Sequence, residues 1–246
     1  MKKIRADILV VERGIAESRA KAQAMILAGQ ILTTDGQRIE KSGQLLAPDS
    51  ELSFKGARPK FVSRGGLKLE GALERFNVDV TGRTCLDVGA STGGFTDCLL
   101  QRGAAKVFAL DVGYNQLDYR LRNDPRVVSM ERFNVRNLSP DDLPERVRFI
   151  CFDVSFISLE LVLEPALRVA EQGTELVMLV KPQFEVGREK VGKGGIVRST
   201  EARRDALSKI IDLAGTQGLD DLESIESPIT GTDGNVEFLL YGRWKG

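Results

Sequence analysis

The stretch Cys85-Leu86-Asp87-Val88-Gly89-Ala90-Ser91-Thr92-Gly93-Gly94-Phe95-Thr96 decides how this chain is read. An apolar strand ends in an acid and opens into a glycine-rich turn, the outline of a loop that receives a nucleotide-like cofactor beyond a strand's carboxyl end. A second apolar run, Val107-Phe108-Ala109-Leu110, ends in Asp111, where a β-strand would deliver a carboxylate to a ribose. Together they point to a cofactor that contains adenosine.

Gly89 is followed by Gly93 and Gly94, so the middle glycine that lets a backbone approach a pyrophosphate is missing. Nor does a lysine followed by Ser or Thr close the loop, which sets aside a nucleoside triphosphate. S-adenosylmethionine, which has no phosphate, suits the spacing better. On the loop alone, a dinucleotide site and a plain strand-to-helix turn stay open.

The 246 residues allow one or two domains, and 42% hydrophobic with 28% charged residues is ordinary for a globular protein. No apolar run approaches the ~20 residues of a membrane span, and the N-terminal Met1-Lys2-Lys3-Ile4-Arg5 lacks a signal-peptide core, so a cytoplasmic protein is expected. The absence of histidine excludes Ser-His-Asp and Cys-His nucleophile systems and any histidine metal site, and no metal is expected. Cys85, Cys98 and Cys151 have no metal or redox spacing and read as buried structural thiols. Net charge is zero, yet residues 1 to 64 hold twelve Lys or Arg against seven Asp or Glu, which suggests a polyanion-binding module on an acidic body.

That module reads as a helix from Ala6 stopped by Gly14, then a helix capped by Ser18 and running Arg19 to Ala28 with Ala22, Met25 and Ile26 inward. Short strands follow at Ile31–Thr33 and Gln37–Ile39 around an Asp35-Gly36 turn, and at Glu51–Phe54. The order Ser18-Arg19-x-x-Ala22-x-x-Met25-Ile26-x-x-Gly29-x-Ile31 resembles the S4 RNA-binding domain. The resemblance gives Arg5, Arg19, Lys21 and Gln23 a role against RNA. A Pro- and charge-bearing segment then marks a boundary, so the expected domains are 1–55, a linker at 56–64, and 65–246.

Beyond the linker, Leu69, Leu73 and Phe76 form a helical packing stripe. Strands then alternate with helices. Strands are expected at Thr84–Val88, Lys106–Leu110, Val127–Met130, Phe149–Asp153, Glu175–Val180 and Val236–Tyr241, and helices at Thr92–Arg102, Ser158–Glu171 and Glu201–Gly215. Such alternation predicts an α/β fold with a doubly wound parallel sheet and a ligand beyond the strands' carboxyl ends. Asp153 and Lys181 both terminate buried strands there, where they could form a catalytic pair or a plain ion pair.

With Lys68 and Glu237, these residues fall in the order of the Lys-Asp-Lys-Glu tetrad of FtsJ-like ribose 2′-O-methyltransferases. The stretches Ser63-Arg64-Gly65-Gly66-Leu67-Lys68-Leu69, Leu86 to Thr96, Asp153-Val154-Ser155-Phe156-Ile157-Ser158-Leu159 and Lys181-Pro182-Gln183-Phe184-Glu185 resemble the TlyA family over essentially the whole chain. That resemblance implies a Rossmann-like class I methyltransferase sheet behind a small α+β S4 domain. It also implies S-adenosylmethionine as cofactor, ribosomal RNA in a ribosomal subunit as partner, and cytidine 2′-hydroxyls as substrate. Lys181 inherits the deprotonating or orienting role, with Lys68, Asp153 and Glu237 placing it.

Asp87, Gly89, Ala90, Ser91, Thr92, Gly93 and Asp111 inherit cofactor contacts, and Asn134 and Val135 meet the adenine unless Asn134 only caps a turn. Arg64 and the glycine-rich segment with Arg188, Lys190 and Lys193 are expected to border the RNA, the segment as a mobile loop. A membrane-active haemolysin, the label of some relatives, lacks an amphipathic or spanning segment here. A noncatalytic RNA-binding factor would not need the tetrad. Base methylation is disfavoured because no Asn- or Asp-Pro-Pro-aromatic motif follows the fourth strand. A monomer is expected.

Overall fold

Ser18 caps the second helix of the chain as the sequence requires, its side chain accepting the Lys21 N–H. In this computed structural model residues 3–16, 18–56, 59–231 and 234–246 are described. Ala57 and Arg58 of the expected linker lie outside the described residues. The chain divides into two units, Met1–Pro59 and Lys60–Gly246.

In the first unit, strand β1 (Ile4–Arg5) runs into helix α1 (Ala6–Glu12), followed by α2 (Arg19–Leu27), β2 (Ile31–Thr33), β3 (Leu45–Leu46) and β4 (Leu52–Phe54). Strand β1 pairs with β3 and β2 with β4, both antiparallel. Leu9, Val10, Ala22, Ile26, Ile31 and Ile39 close a core of the unit's own. The Asp35-Gly36 turn forms with Gly36 at φ +81°. The strand expected at Gln37–Ile39 is reduced to a single bridge between Leu32 and Arg38, since the chain then turns away to pair β3 with β1.

The second unit begins with α3 (Gly65–Arg75), then β5 (Thr84–Val88), α4 (Gly94–Gln101), β6 (Lys106–Leu110), α5 (Tyr119–Arg122), β7 (Val127–Met130) and β8 (Val147–Phe152). It continues through α6 (Leu163–Leu167), β9 (Ala170–Val180), α7 (Pro182–Glu185), α8 (Thr200–Thr216), β10 (Leu219–Glu226) and β11 (Phe238–Trp244). Seven strands form one sheet in the order β10-β11-β9-β8-β5-β6-β7. Alternation of side chains splits the core: Leu86, Val88, Ile150, Phe152 and Met178 lie on one face. Cys85, Phe149, Cys151 and Val177 lie on the other, with Leu69 and Leu73 of α3.

Four further readings change. The sheet is mixed, because β11 runs antiparallel to both β9 and β10. Strand β10 was absent from the sequence reading: it is an edge strand whose acidic, exposed residues hide its pairing. The helix expected at Ser158–Glu171 is a 3₁₀ turn (Leu159–Leu161) capped by Ser158, then the five-residue α6 with Pro165 in its first turn, and Ala170–Glu171 already belong to β9. Finally, the Lys60–Arg64 part of the expected linker belongs to the second unit. Phe61 is buried beneath α3, and the Val62 N–H donates to Asp97 Oδ2 at 2.8 Å. Among the described residues no helix is long and apolar enough to cross a membrane.

Candidate active site

Parallel strands deliver their carboxyl ends to one edge of the sheet, and the reversed β11 delivers its beginning there. Phe238 pairs with Val180, so Glu237, one residue before β11 rather than within it, comes beside Lys181. Lys68 arrives from α3. Lys68, Asp153, Lys181 and Glu237 line one cavity of about 540 Å³ with Ser63, Arg64, Ser155, Phe156 and Gln183.

The four groups form two ion pairs. Lys68 Nζ donates to Glu237 Oε2 at 2.5 Å, with side chains 10% and 3% exposed, so this pair is almost wholly desolvated. Lys181 Nζ lies 2.7 Å from Asp153 Oδ1 and donates to Ser155 Oγ at 2.8 Å. An ammonium held by a carboxylate and a hydroxyl has a fixed direction. Ser155, which the sequence reading did not single out, shares the Asp153–Leu159 loop with Phe156. That residue takes φ +63°, is 92% exposed, and sets its ring 5.2 Å from the Phe184 ring.

A tie away from the cavity also was not foreseen. Glu185, 7% exposed at the end of α7, accepts from Ser158 Oγ at 2.5 Å and from the Leu159 N–H at 2.9 Å. The turn that begins at Lys181 thus grips both ends of the loop carrying Asp153 and Ser155. Burial pushes the Glu185 carboxyl upward.

The glycine loop follows β5. Gly89 sits at φ +87°, and a Cβ there would stand 2.7 Å from the Asp153 carbonyl, so only glycine allows the two strand ends to meet. Gly89, Ala90, Ser91 and Thr92 line the first cavity. Gly93, at φ +94°, faces Leu117 and Leu121 instead and caps α4. Asp87 lines neither this cavity nor its neighbour: it is fully buried beneath the loop, its Oδ2 accepting from Thr96 Oγ1 at 2.6 Å. Desolvation, strengthened by the like charge of Asp153, raises its pKa to about 7.

A second cavity of about 570 Å³ shares Gly89, Ser91, Asp153, Ser155 and Phe156 with the first, and its further lining includes Asp111, Gln116, Asn134, Val135, Arg136 and Ile157. Asp111 is oriented by the Ser91 N–H at 2.7 Å and the Gly113 N–H at 2.6 Å, leaving a free lone pair on each oxygen. Asn134 does cap a turn, its Oδ1 accepting from Arg136, and this leaves its Nδ2 to the cavity it lines. A carboxylate, an amide and apolar walls next to a glycine loop fit an adenosine.

The expected RNA residues of this unit border the same region. Arg64 lines the first cavity and donates to the Thr230 carbonyl at 3.2 Å. Arg188 lines a shallow hollow with Arg136, Phe156 and Phe184. Lys190 lies 3.4 Å from Asp205, and Lys193 is exposed. Buried Asn235 ties the base of this segment to the approach to Glu237, accepting from the Val197 N–H at 3.0 Å and donating to the Gly195 carbonyl at 2.9 Å. In the first unit, Arg5, Arg19 and Gln23 all bond to Asp7, while Lys21 is exposed on α2.

A seven-stranded sheet with one reversed strand, a glycine loop after its central strand and an acid after the next define the S-adenosylmethionine-dependent methyltransferase class. The chain belongs to the FtsJ-like methyltransferase family, which residues 61–244 match. It is 49% identical over 246 residues to a protein of Bacillus subtilis (strain 168) provisionally described as rRNA methyltransferase YqxC, covering 100% of this chain and 87% of that one. It is 44% identical over 243 residues to the 16S/23S rRNA (cytidine-2′-O)-methyltransferase TlyA of Mycobacterium tuberculosis, covering 98% of this chain and 90% of the relative. A solved structure from Streptococcus thermophilus, provisionally labelled a hemolysin, superposes with TM-score 0.76 at 43% identity, covering 100% of this chain and 90% of that one.

Proposed function

We propose that this enzyme methylates the ribose 2′-hydroxyl of cytidine in ribosomal RNA, working in the cytoplasm, with Met1–Pro59 serving as an S4-like RNA-binding module. The observation that carries the reading is the convergence of Lys68, Asp153, Lys181 and Glu237 on one cavity that adjoins the adenosine-shaped one. The printed activity of the 44% identical relative supports the substrate.

Gly89, Ala90, Ser91 and Thr92 would hold the methionine portion of the cofactor, Asp111 its ribose hydroxyls, and Asn134 and Val135 its adenine. When bound, the cofactor supplies an electrophilic methyl group on a sulfonium. Lys181, aimed by Asp153 and Ser155, orients the 2′-hydroxyl, and only as the neutral amine, whose lone pair is free, does it receive that hydroxyl's proton. Such a positioned base is worth ~10²–10⁴ in rate. Lys68, fixed by Glu237, sets a positive charge where negative charge develops on the attacking oxygen. Exposed Phe156 and half-buried Phe184 offer neighbouring rings on which an unpaired base can stack, and Arg64, Arg188, Lys190 and Lys193 face the backbone.

The test is transfer of tritiated methyl to purified small and large ribosomal subunits, followed by alkaline hydrolysis of the RNA. Hydrolysis needs a free 2′-hydroxyl, so the label should appear in alkali-resistant dinucleotides. Label in mononucleotides would mean base methylation and overturn the reading, as would no transfer to either subunit.

A further inference from the structure

The first unit contains a charge cluster that methyl transfer does not use. Asp7, the second residue of α1, has no exposed surface. Its carboxylate nevertheless accepts four hydrogen bonds from three side chains. Oδ1 accepts from Arg5 Nε at 3.0 Å, while Oδ2 accepts from Arg5 Nη2 at 3.0 Å, Arg19 Nη2 at 3.0 Å and Gln23 Nε2 at 2.8 Å. The bonds are shared unevenly, three on Oδ2 and one on Oδ1. The guanidinium groups hold its carboxyl well below the usual range, so the charge persists at any physiological pH.

The two arginines are arranged differently from their anchor. The Arg5 and Arg19 side chains are 44% and 57% exposed, against 0% for Asp7. Arg5 uses Nε and Nη2 on Asp7 and keeps Nη1 beside Gly43; Arg19 uses only Nη2. Gln23, one turn after Arg19 on α2, completes the anchor, so it points into the unit rather than at a ligand. A buried ion cluster is weak evidence for stability, since apolar replacements of such clusters often fold as well. What it does supply is two cationic forks held at one place on the surface before any ligand arrives, with their rotamer freedom already lost.

We infer that Asp7 is a positioning residue for an RNA phosphate site made by Arg5 and Arg19. This rests on the reading of the first unit as an RNA-binding module. It makes an unusual demand: a buried negative charge strengthens binding to a polyanion.

The experiment measures binding of the full-length protein to purified ribosomal subunits by filter binding across a series of KCl concentrations. Asp7→Asn keeps the volume and removes one negative charge, so charge counting alone predicts tighter binding. The positioning role predicts binding weaker by roughly fivefold to tenfold, with a salt slope shallower by about one, as for a lost phosphate contact. Equal or tighter binding by Asp7→Asn, while Arg5→Ala and Arg19→Ala weaken it, overturns the role of Asp7 and leaves RNA binding by this unit intact. If neither arginine variant weakens binding, both fall. Should Asp7→Asn lose its helical circular dichroism, Arg5→Lys and Arg19→Lys replace it. Lysine keeps the charge but cannot form the paired contact, so weaker binding is expected and unchanged binding overturns the inference.

Discussion

Asp87 gives the sharpest pH signature in the molecule. Its carboxyl is fully buried and, mainly through desolvation, has its pKa raised to about 7 from a reference of 3.8. Between those values the folded protein keeps a proton that the unfolded chain releases, so stability falls as pH rises through that window and is level above it. From pH 5 to pH 8 the loss is close to two units of proton binding, about 3 kcal/mol at ~1.4 kcal/mol per unit. For a unit of this size that corresponds to roughly 8 °C in melting temperature. Asp87→Asn removes the ionisation while its side-chain oxygen can still accept from Thr96. Melts by circular dichroism should therefore show the variant gaining on the wild type by about that amount between pH 5 and pH 8. Parallel curves for the two proteins, or a wild type that gains relative to the variant as pH rises, would show that Asp87 does not keep its proton.

Three further outcomes follow from the site. Gly89→Ala forces a Cβ onto the Asp153 carbonyl at a positive φ, and titration calorimetry should find S-adenosylmethionine binding weaker by about tenfold or more; affinity within twofold of wild type contradicts this. Glu185→Ala leaves the buried Leu159 N–H without an acceptor, at a cost of about 2 kcal/mol, and should lower kcat more than it alters KM. Glu185→Gln restores the acceptor and should recover most of the rate; equal loss in both variants argues against the tie. Finally, Cys85, Cys98 and Cys151 are buried with their thiols pushed to about 12 or well above their ordinary value, so iodoacetamide at pH 8 should label them only after unfolding. Rapid labelling of the native protein would contradict that placement.

What was legible in the sequence was what local chemistry dictates. Buried strands β6 and β8 and the 176–180 end of β9 are predominantly apolar on both faces, as is β5 apart from Asp87, and Ser18 is an unambiguous cap. The glycines after β5 and Asp111 after β6 could be read because loop geometry constrains residue type. Features that depend on partners distant in sequence were not legible. Strand β10 carries acids at an exposed edge and is defined only by β11. The direction of β11, which sets Glu237 beside Lys181, is a matter of topology. Alternation along β5 buries Asp87 in an apolar layer although it adjoins the cofactor loop. Ser155 and Glu185 lie within stretches that resemble the family, but their roles arise only when the β8 and β9 ends meet.

In the proposed reaction the proton transfer rests on Lys181. That lysine lines the first cavity and not the adenosine-shaped one, so Lys181→Ala separates chemistry from cofactor binding. The most direct measurement is the single-turnover rate of methyl transfer from S-adenosylmethionine to the ribosomal subunit that accepts label, for wild type and Lys181→Ala, with cofactor affinity measured alongside. A rate lower by ~10² or more with cofactor affinity within about threefold is expected of a base held at the 2′-hydroxyl. A variant that transfers methyl within about tenfold of wild type, while binding cofactor normally, would contradict the role of the lysine and of the cavity built around it.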